Sequence, residues 1–563
     1  MQLPAAPGAW VLLIFTVFLV QSVKLWRNYM QAKRTGLPVV ITPLLETQVL
    51  AQIATPILRA IYLKYLDQGR GWPRWCRFMI KDWSWEDRRL AHEEYGDVFI
   101  VVSTEGMICY SADAKMGWDV MNRRHDFTKP RDKYKLLELY GPNVATAEGT
   151  EHRFHLRITA PPLSDTSGVN ELVWTETMHQ TRSLLHKWEK ESPGNLHEDV
   201  NALTLAVISL AGFGKRLDSN TEQSQHIPSG YKISFLRAIT DTTAFMVPIL
   251  IFPSWLLRVS PLAKAQLAYT QLDKYLRAMI RDERETLDSS GRITSRGPRG
   301  NMLQTLIKSS YDVAQEEQQQ QQKEGSPGTS KKHAFTESEV LGNLFIYLLA
   351  GYETTANAIA YGLILLALES GLQRRLIDEI DDVWSPAAAE GRSELTYSSD
   401  FPKLQYMYGF MPLGANSTQS AILTAVQYET FRLYPGVTLI TKVCQAAQPI
   451  LVGNTSHILP PGCRVYLSAP GVHYNEKYWK DPKELRPERW SETNSFSEKE
   501  GSTTGASMSA KSQAKMAAVA ADKTRQMRGT LLTFSDGVRA CLGRKFAQAE
   551  YMAFFSMLLQ HSK

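Results

Sequence analysis

At 563 residues the chain is long enough for one large domain or several small ones, and 44% hydrophobic content with 13 tryptophans calls for a sizeable core. The formal charge of +6, from 63 basic and 57 acidic residues, is too mild for a nucleic-acid binder. Five scattered cysteines, at 76, 109, 444, 463 and 541, form neither a disulfide framework nor a CxxC zinc spacing, so a reducing compartment is the default.

The N-terminal stretch Leu3 to Val20 is almost entirely apolar, with Trp26 as an interfacial aromatic. A spanning helix needs about 20 such residues. No Lys or Arg precedes it, whereas Lys24, Arg27, Lys33 and Arg34 follow, which turns the bulk of the chain toward the cytosol. A cleaved signal peptide would need a basic leading region and a small-residue cleavage site, and neither is clear. The expected organisation is a membrane anchor over 1–23 and one catalytic domain over 24–563. Gly36-Leu-Pro38 and Pro43 would stiffen the exit from the membrane.

Helical periodicity runs through Glu171–Glu191, Leu262–Leu287, Phe335–Ser370 and Arg544–Gln560. Extended stretches such as Val98–Val102 and Arg464–Leu467 are few, so the fold class is mainly α with small β-sheets. Two low-complexity stretches, Gln315–Lys332 and Ser491–Met527, read as exposed insertions. Neither is a domain boundary, because chemistry lies on both sides of each.

Thr336-Glu-Ser-Glu339 forms a capping box, and Val340–Leu368 continues nearly without charge. About 30 helical residues span about 45 Å. In the middle stands Ala350-Gly351-Tyr352-Glu353-Thr354-Thr355. A lone Glu beside paired threonines would be costly in lipid, which favours a buried central helix with one polar break. A mid-helix threonine can bond a carbonyl and open the ladder locally. Gly351 removes a side chain where a diatomic ligand would need room, and Glu353 with Thr354 could relay protons to it.

Glu429 and Arg432 share a helix face at i and i+3 within the largely apolar Tyr428–Pro435, so the pair is expected to be buried and mutually satisfied. A solvent-exposed pair of small worth is the alternative. Pro487-Glu-Arg489-Trp490 supplies a further arginine. Near the end the chain reads Phe534-Ser-Asp-Gly537-Val-Arg539-Ala-Cys541-Leu-Gly543. That spacing suits a cysteine held as a thiolate against iron, approached by backbone N–H donors. Gly537 and Gly543 supply unusual dihedrals and close backbone approach. Arg539 is placed for a haem propionate, and Phe534 covers the sulfur.

These residues resemble the proximal loop of the cytochrome P-450 family, the haem-thiolate monooxygenases, and the likeness extends over roughly 36–560 with the motifs in family order. Ala350–Thr355 matches the family's oxygen-activation block. The resemblance implies a cytochrome P-450 fold preceded by an N-terminal transmembrane helix, with haem (iron protoporphyrin IX) as cofactor and Cys541 as the metal ligand. It implies proton delivery by Glu353 and Thr354, a structural cluster of Glu429, Arg432 and Arg489, and a propionate contact from Lys442. Val437–Thr441 and the loop Leu137–Ala147 match segments that line the family's substrate side, and their apolar character fits a lipophilic substrate. The extra insertions look similar to fungal enzymes of specialised metabolism. No Gly-rich dinucleotide fingerprint is present, so the implied electron donor is an NADPH-dependent flavoprotein reductase, and the implied location is the endoplasmic reticulum membrane with the catalytic domain in the cytosol. Arg153, Arg157, Arg544 and Lys545 are candidates for its docking face, or for a merely solvated surface.

Three departures stand out. The family's Trp-x-x-x-Arg becomes His152-Arg-Phe-His-Leu156, leaving His152, Arg153 or Arg157 to take over the propionate contact. Gly409–Thr424 looks like extra sequence, and the chain stops 22 residues past Cys541 where family members continue. Two rival readings therefore stay open: a haem-thiolate isomerase or dehydratase, and a truncated remnant without haem.

Overall fold

The computed structural model describes residues 7–165, 167–191, 194–217, 227–289, 301–308, 335–404, 422–490 and 528–561. Both low-complexity insertions fall outside these residues, as does most of the Gly409–Thr424 segment. The chain divides into two compact units, one built from residues up to 133, from 435–484 and up to Cys541 from 509, the other from the remainder.

In the first unit, α1 (Pro7–Lys33) is one continuous helix. It passes through the expected anchor boundary at residue 23, and the turn after it places Gly36 at φ +76°. Among the described residues no single helix is long and apolar enough to cross a membrane. After β1 (Val39–Ile41) comes α2 (Val49–Asp67), then β2 (Val98–Val102), β3 (Met107–Ser111), α3 (Ala114–Asn122) and β4 (Phe127–Thr128). Later chain supplies β5 (Leu439–Cys444), β6 (Gln448–Val452), β7 (Thr455–Leu459) and β8 (Arg464–Ser468).

Six strands form a mixed sheet in the order β1-β2-β3-β8-β5-β4. β2 and β3 run antiparallel, with Ile100 opposite Cys109, and β3 runs parallel to β8, with Cys109 opposite Val465. Both strands are buried throughout, which is why Val-Phe-Ile-Val-Val reads as an unbroken apolar run. Alternation sorts their side chains. Val98, Ile100, Val102 and Cys109 pack with Met116, Val120 and Val465, whereas Phe99, Val101 and Tyr110 pack with Trp72, Phe78 and Trp83. β6 and β7 form a separate hairpin whose two-residue turn places Gly453 at φ +59°.

The second unit is helical: α4 (Gly149–Thr159), α5 (Val169–Lys190), α6 (Leu196–Phe213), α7 (Phe235–Ala244), α8 (Ala263–Ser289), α9 (Glu337–Leu368), α10 (Ser370–Ala389), α11 (Ile422–Leu433) and α12 (Arg544–His561). α9 starts at the expected capping box, with Thr336 Oγ1 accepting the Glu339 N–H and Glu339 accepting the Thr336 N–H. Residues Val340–Leu348 of this helix are buried, so its lack of polar pattern reflects burial within protein.

The expectation of extra sequence up to Thr424 needs correcting at its end. Ile422–Thr424 form the first turn of α11; Leu423 is buried, its N–H donates to Glu379, and Thr424 Oγ1 donates to the Leu404 carbonyl.

Candidate functional site

The cysteine loop belongs to the strand unit. Leu532 N–H donates to His473 Nε2 at 2.8 Å, which fixes the loop's entry and assigns the His473 proton to Nδ1. Ser535 and Gly537 adopt left-handed backbone, φ +57° and +66°, and Asp536 Oδ1 accepts the Gly537 N–H. A Cβ on Gly537 would lie 2.8 Å from Asn122 Oδ1, so conformation and space both require glycine there. Cys541 N–H closes the loop onto the Phe534 carbonyl at 2.8 Å.

Of the five cysteines, Cys76, Cys109, Cys444 and Cys463 are buried, whereas Cys541 is exposed. The Cys541 thiol is thus open on a turn whose backbone is fixed at both ends. Phe534 and Arg539 are half-buried in the same loop, and Lys442 is buried on β5 opposite Val465. An accessible thiol on a pinned backbone, with cations in the same unit, fits a haem-thiolate site. Gly543 does not supply the unusual dihedral expected of it. The loop's left-handed residues are Ser535 and Gly537, while the Gly543 carbonyl accepts the Ala547 N–H and opens α12.

In the helical unit, Ala350 and Thr354 are exposed one turn apart on α9, in the middle of an otherwise buried run. Thr354 Oγ1 donates to the Ala350 carbonyl at 2.7 Å, and Thr355 Oγ1 donates to the Gly351 carbonyl at 3.3 Å. The paired threonines therefore bond the carbonyls four residues back, as a polar break in an apolar helix requires. Glu353 is half-buried beside them. A Cβ on Gly351 would lie 3.0 Å from Ile208 Cδ1 of α6. Its missing side chain allows close packing of the two helices.

The loop over Leu137–Ala147 is tied to α8 and α9. Tyr140 OH donates to the Tyr269 carbonyl, and Val144 N–H donates to Asn343 Oδ1 at 3.0 Å. On α4, Arg153 and Arg157 are exposed and His152 is buried. Arg544 Nη2 reaches Tyr428 OH at 2.9 Å, and Lys545 lies 3.8 Å from Asp165.

The charge cluster is fully assembled. Glu429 and Arg432 are completely buried, joined at 3.0 and 2.7 Å. Arg489 Nε meets Glu429 at 2.8 Å, so all three expected members come together. Two further donors went unread in the sequence: Trp490 Nε1 at 2.9 Å and the Arg486 backbone N–H at 3.0 Å. Tryptophan next to the arginine was the available signal. Glu550 of α12 was also missed. It is fully buried, and burial pushes its carboxyl well above the usual range, with Thr355 only partly offsetting this.

Among the described residues, Glu151, His155 and Glu339 are the group spaced for a metal ion. His155 Nε2 lies 3.3 Å from Glu339, Asn343 contacts His155 Nδ1, and Glu339 also serves the capping box. These contacts make it a network that holds the α9 N-terminus.

The sequence model of the family described as Cytochrome P450 matches residues 75–563, and the chain belongs to that family. It is 49% identical to the cytochrome P450 monooxygenase prx9 of Penicillium rubens, over 98% of this chain and 89% of that protein. It is 48% identical to the cytochrome P450 monooxygenase ORF6 of Penicillium roqueforti, over 97% and 89%. The crystal structure of the cytochrome P450DA heme domain superposes with a TM-score of 0.60 at 16% identity, covering 93% of this chain and 91% of that one, and shows the shared fold. The protein is thus a haem-dependent monooxygenase, consuming O2 with electrons from a redox partner to oxidise a lipophilic small molecule.

Proposed function

We propose that the enzyme oxidises a lipophilic intermediate of specialised metabolism while tethered to the endoplasmic reticulum membrane by its N-terminal segment, with the catalytic domain in the cytosol. A family relative at 23% identity, covering 98% of this chain, is the cytochrome P450 monooxygenase of the phomenoic acid biosynthesis cluster of Leptosphaeria maculans. Exposed Leu12, Ile14, Phe15 and Phe18 on α1, followed by Lys24, Arg27, Lys33 and Arg34, support the tether.

Cys541 is the thiolate ligand, and its exposed sulfur on the pinned loop is the observation that carries this reading. Bound haem supplies oxygen activation, which the thiolate promotes by donating electron density. Phe534 shields the sulfur, Gly537 sets the turn, and Gly543 starts the helix that follows. Arg539, Lys442 and Arg153 neutralise the propionates. Thr354 Oγ1 holds and passes a proton, and Glu353 is the carboxylate that replenishes it. Glu429, Arg432 and Arg489 keep their own unit rigid. Val437–Thr441 and Leu137–Ala147 present apolar surface that orients the substrate.

An NADPH-dependent flavoprotein reductase is the electron donor, with exposed Arg157 offered to its acidic face. Deleting the gene and comparing extracts tests the metabolic assignment. One lipophilic compound should accumulate with loss of its oxygenated product, and an unchanged profile under producing conditions would contradict it.

A further inference from the structure

The first 74 residues lie ahead of the family match, and they hold all of the chain's net charge. Eight Lys and Arg stand there against two acidic residues, Glu46 and Asp67, a net of +6 that equals the value for the whole chain. Glu46 is buried, so the outward charge of this segment is almost wholly cationic.

Within the segment, α2 carries apolar side chains on both of its faces. Val49, Leu50, Ile53, Ile57, Ile61 and Leu63 point outward, each 54–66% exposed. Val49, Ile53, Ile57 and Ile61 are spaced four apart, so they form one stripe along the helix, about 18 Å from end to end at 1.5 Å per residue. Ala51, Leu58 and Leu66 pack inward on the core, and two polar residues on the same side bond to the protein. Thr55 Oγ1 accepts the Lys81 N–H at 3.1 Å, and Arg59 donates to the Lys81 carbonyl at 2.8 Å and pairs with Glu86 at 2.7 Å. These bonds fix the rotation of the helix, so the isoleucines cannot turn inward without breaking them. A soluble surface has no use for more than three turns of exposed aliphatic side chains.

The rim of this face has the composition of a membrane interface. Tyr62 packs on Tyr65 and on Trp75, itself 52% exposed, and the Lys64 ammonium sits over the Tyr65 ring at 5.1 Å. We propose that α2 lies in the plane of an anionic lipid surface, its isoleucine stripe among the acyl chains and the surrounding cations at the headgroups. This contact is separate from any span made by α1 and rests on α2 alone. The cationic segment and the aromatic rim select lipid over a second copy of this chain, which would bring +6 against +6.

The test uses the full-length haem-loaded enzyme with Ile57→Cys carrying an environment-sensitive fluorophore, in vesicles of 70% phosphatidylcholine and 30% phosphatidylserine. Lipids spin-labelled on the acyl chain should quench the probe at least twofold, and adding Ile53→Glu and Ile61→Glu should remove most of that quenching. α1 is intact in every sample, so failure at this probe refutes the α2 contact without touching the tether. A probe that stays water-exposed overturns the proposal. So does one shielded only by increasing protein concentration, which would mean a second copy covers the stripe.

Discussion

Replacing Glu429 by alanine is the sharpest test of how the helical unit is held together. Its carboxylate takes N–H donors from Arg432, at two atoms, and from Arg489, Trp490 and the Arg486 backbone, at 2.7–3.0 Å. Alanine removes this carboxylate from one guanidinium that is wholly buried and another that is 7% exposed. Stranding buried charge in this way costs about 3–5 kcal/mol. At about 2 °C per kcal/mol for a large chain, the melting temperature should fall by about 6–10 °C. The comparison is Arg375→Ala, which breaks the Arg375–Glu488 pair whose side chains are 49% and 43% exposed. That pair should contribute less than about 1 kcal/mol. Denaturant titration followed by far-UV circular dichroism measures both. Equal losses in the two variants, or a Glu429→Ala loss under about 0.5 kcal/mol, would refute the reasoning that burial makes this cluster matter.

Thr354→Ala removes the hydroxyl proposed to pass protons, so oxygen uptake should rise relative to product formed, and measured coupling equal to wild type would argue against the relay. Gly537→Ala forces a side chain into left-handed backbone and toward Asn122, costing about 1–2 kcal/mol from conformation alone; faster haem loss to an acceptor protein reports it. Burial raises the Glu46 carboxyl to about 7, only partly offset by Lys133, so the folded state favours its protonated form. That stability is present below the ordinary value of 4.5 and is lost as pH rises to about 7, a change of roughly 3 kcal/mol at about 1.4 kcal/mol per unit. Urea midpoints across this range should flatten in Glu46→Gln.

The sequence made the long helices legible because burial and capping leave local marks. Thr336 and Glu339 cap α9 as their spacing requires, and Val98–Val102 is a strand because an apolar run of that length fills both faces of a sheet. Glu429 and Arg489 were paired only through the family resemblance, since 60 residues separate them. At Gly351 the sequence does not say which neighbour borders the missing side chain, and in the structure Ile208 does. The His473 bond to Leu532 joins distant segments without any local pattern. The helix α2 went unread in the sequence, and which of its faces turns outward is decided by Thr55 and Arg59.

The central claim is sulfur ligation of iron by Cys541, and the carbon monoxide difference spectrum of the reduced, haem-loaded enzyme tests it most directly. Wild type should give the red-shifted Soret band of a thiolate ligand, and Cys541→Ser should abolish it. A variant that keeps the band, or a wild-type protein that binds no haem, contradicts the account.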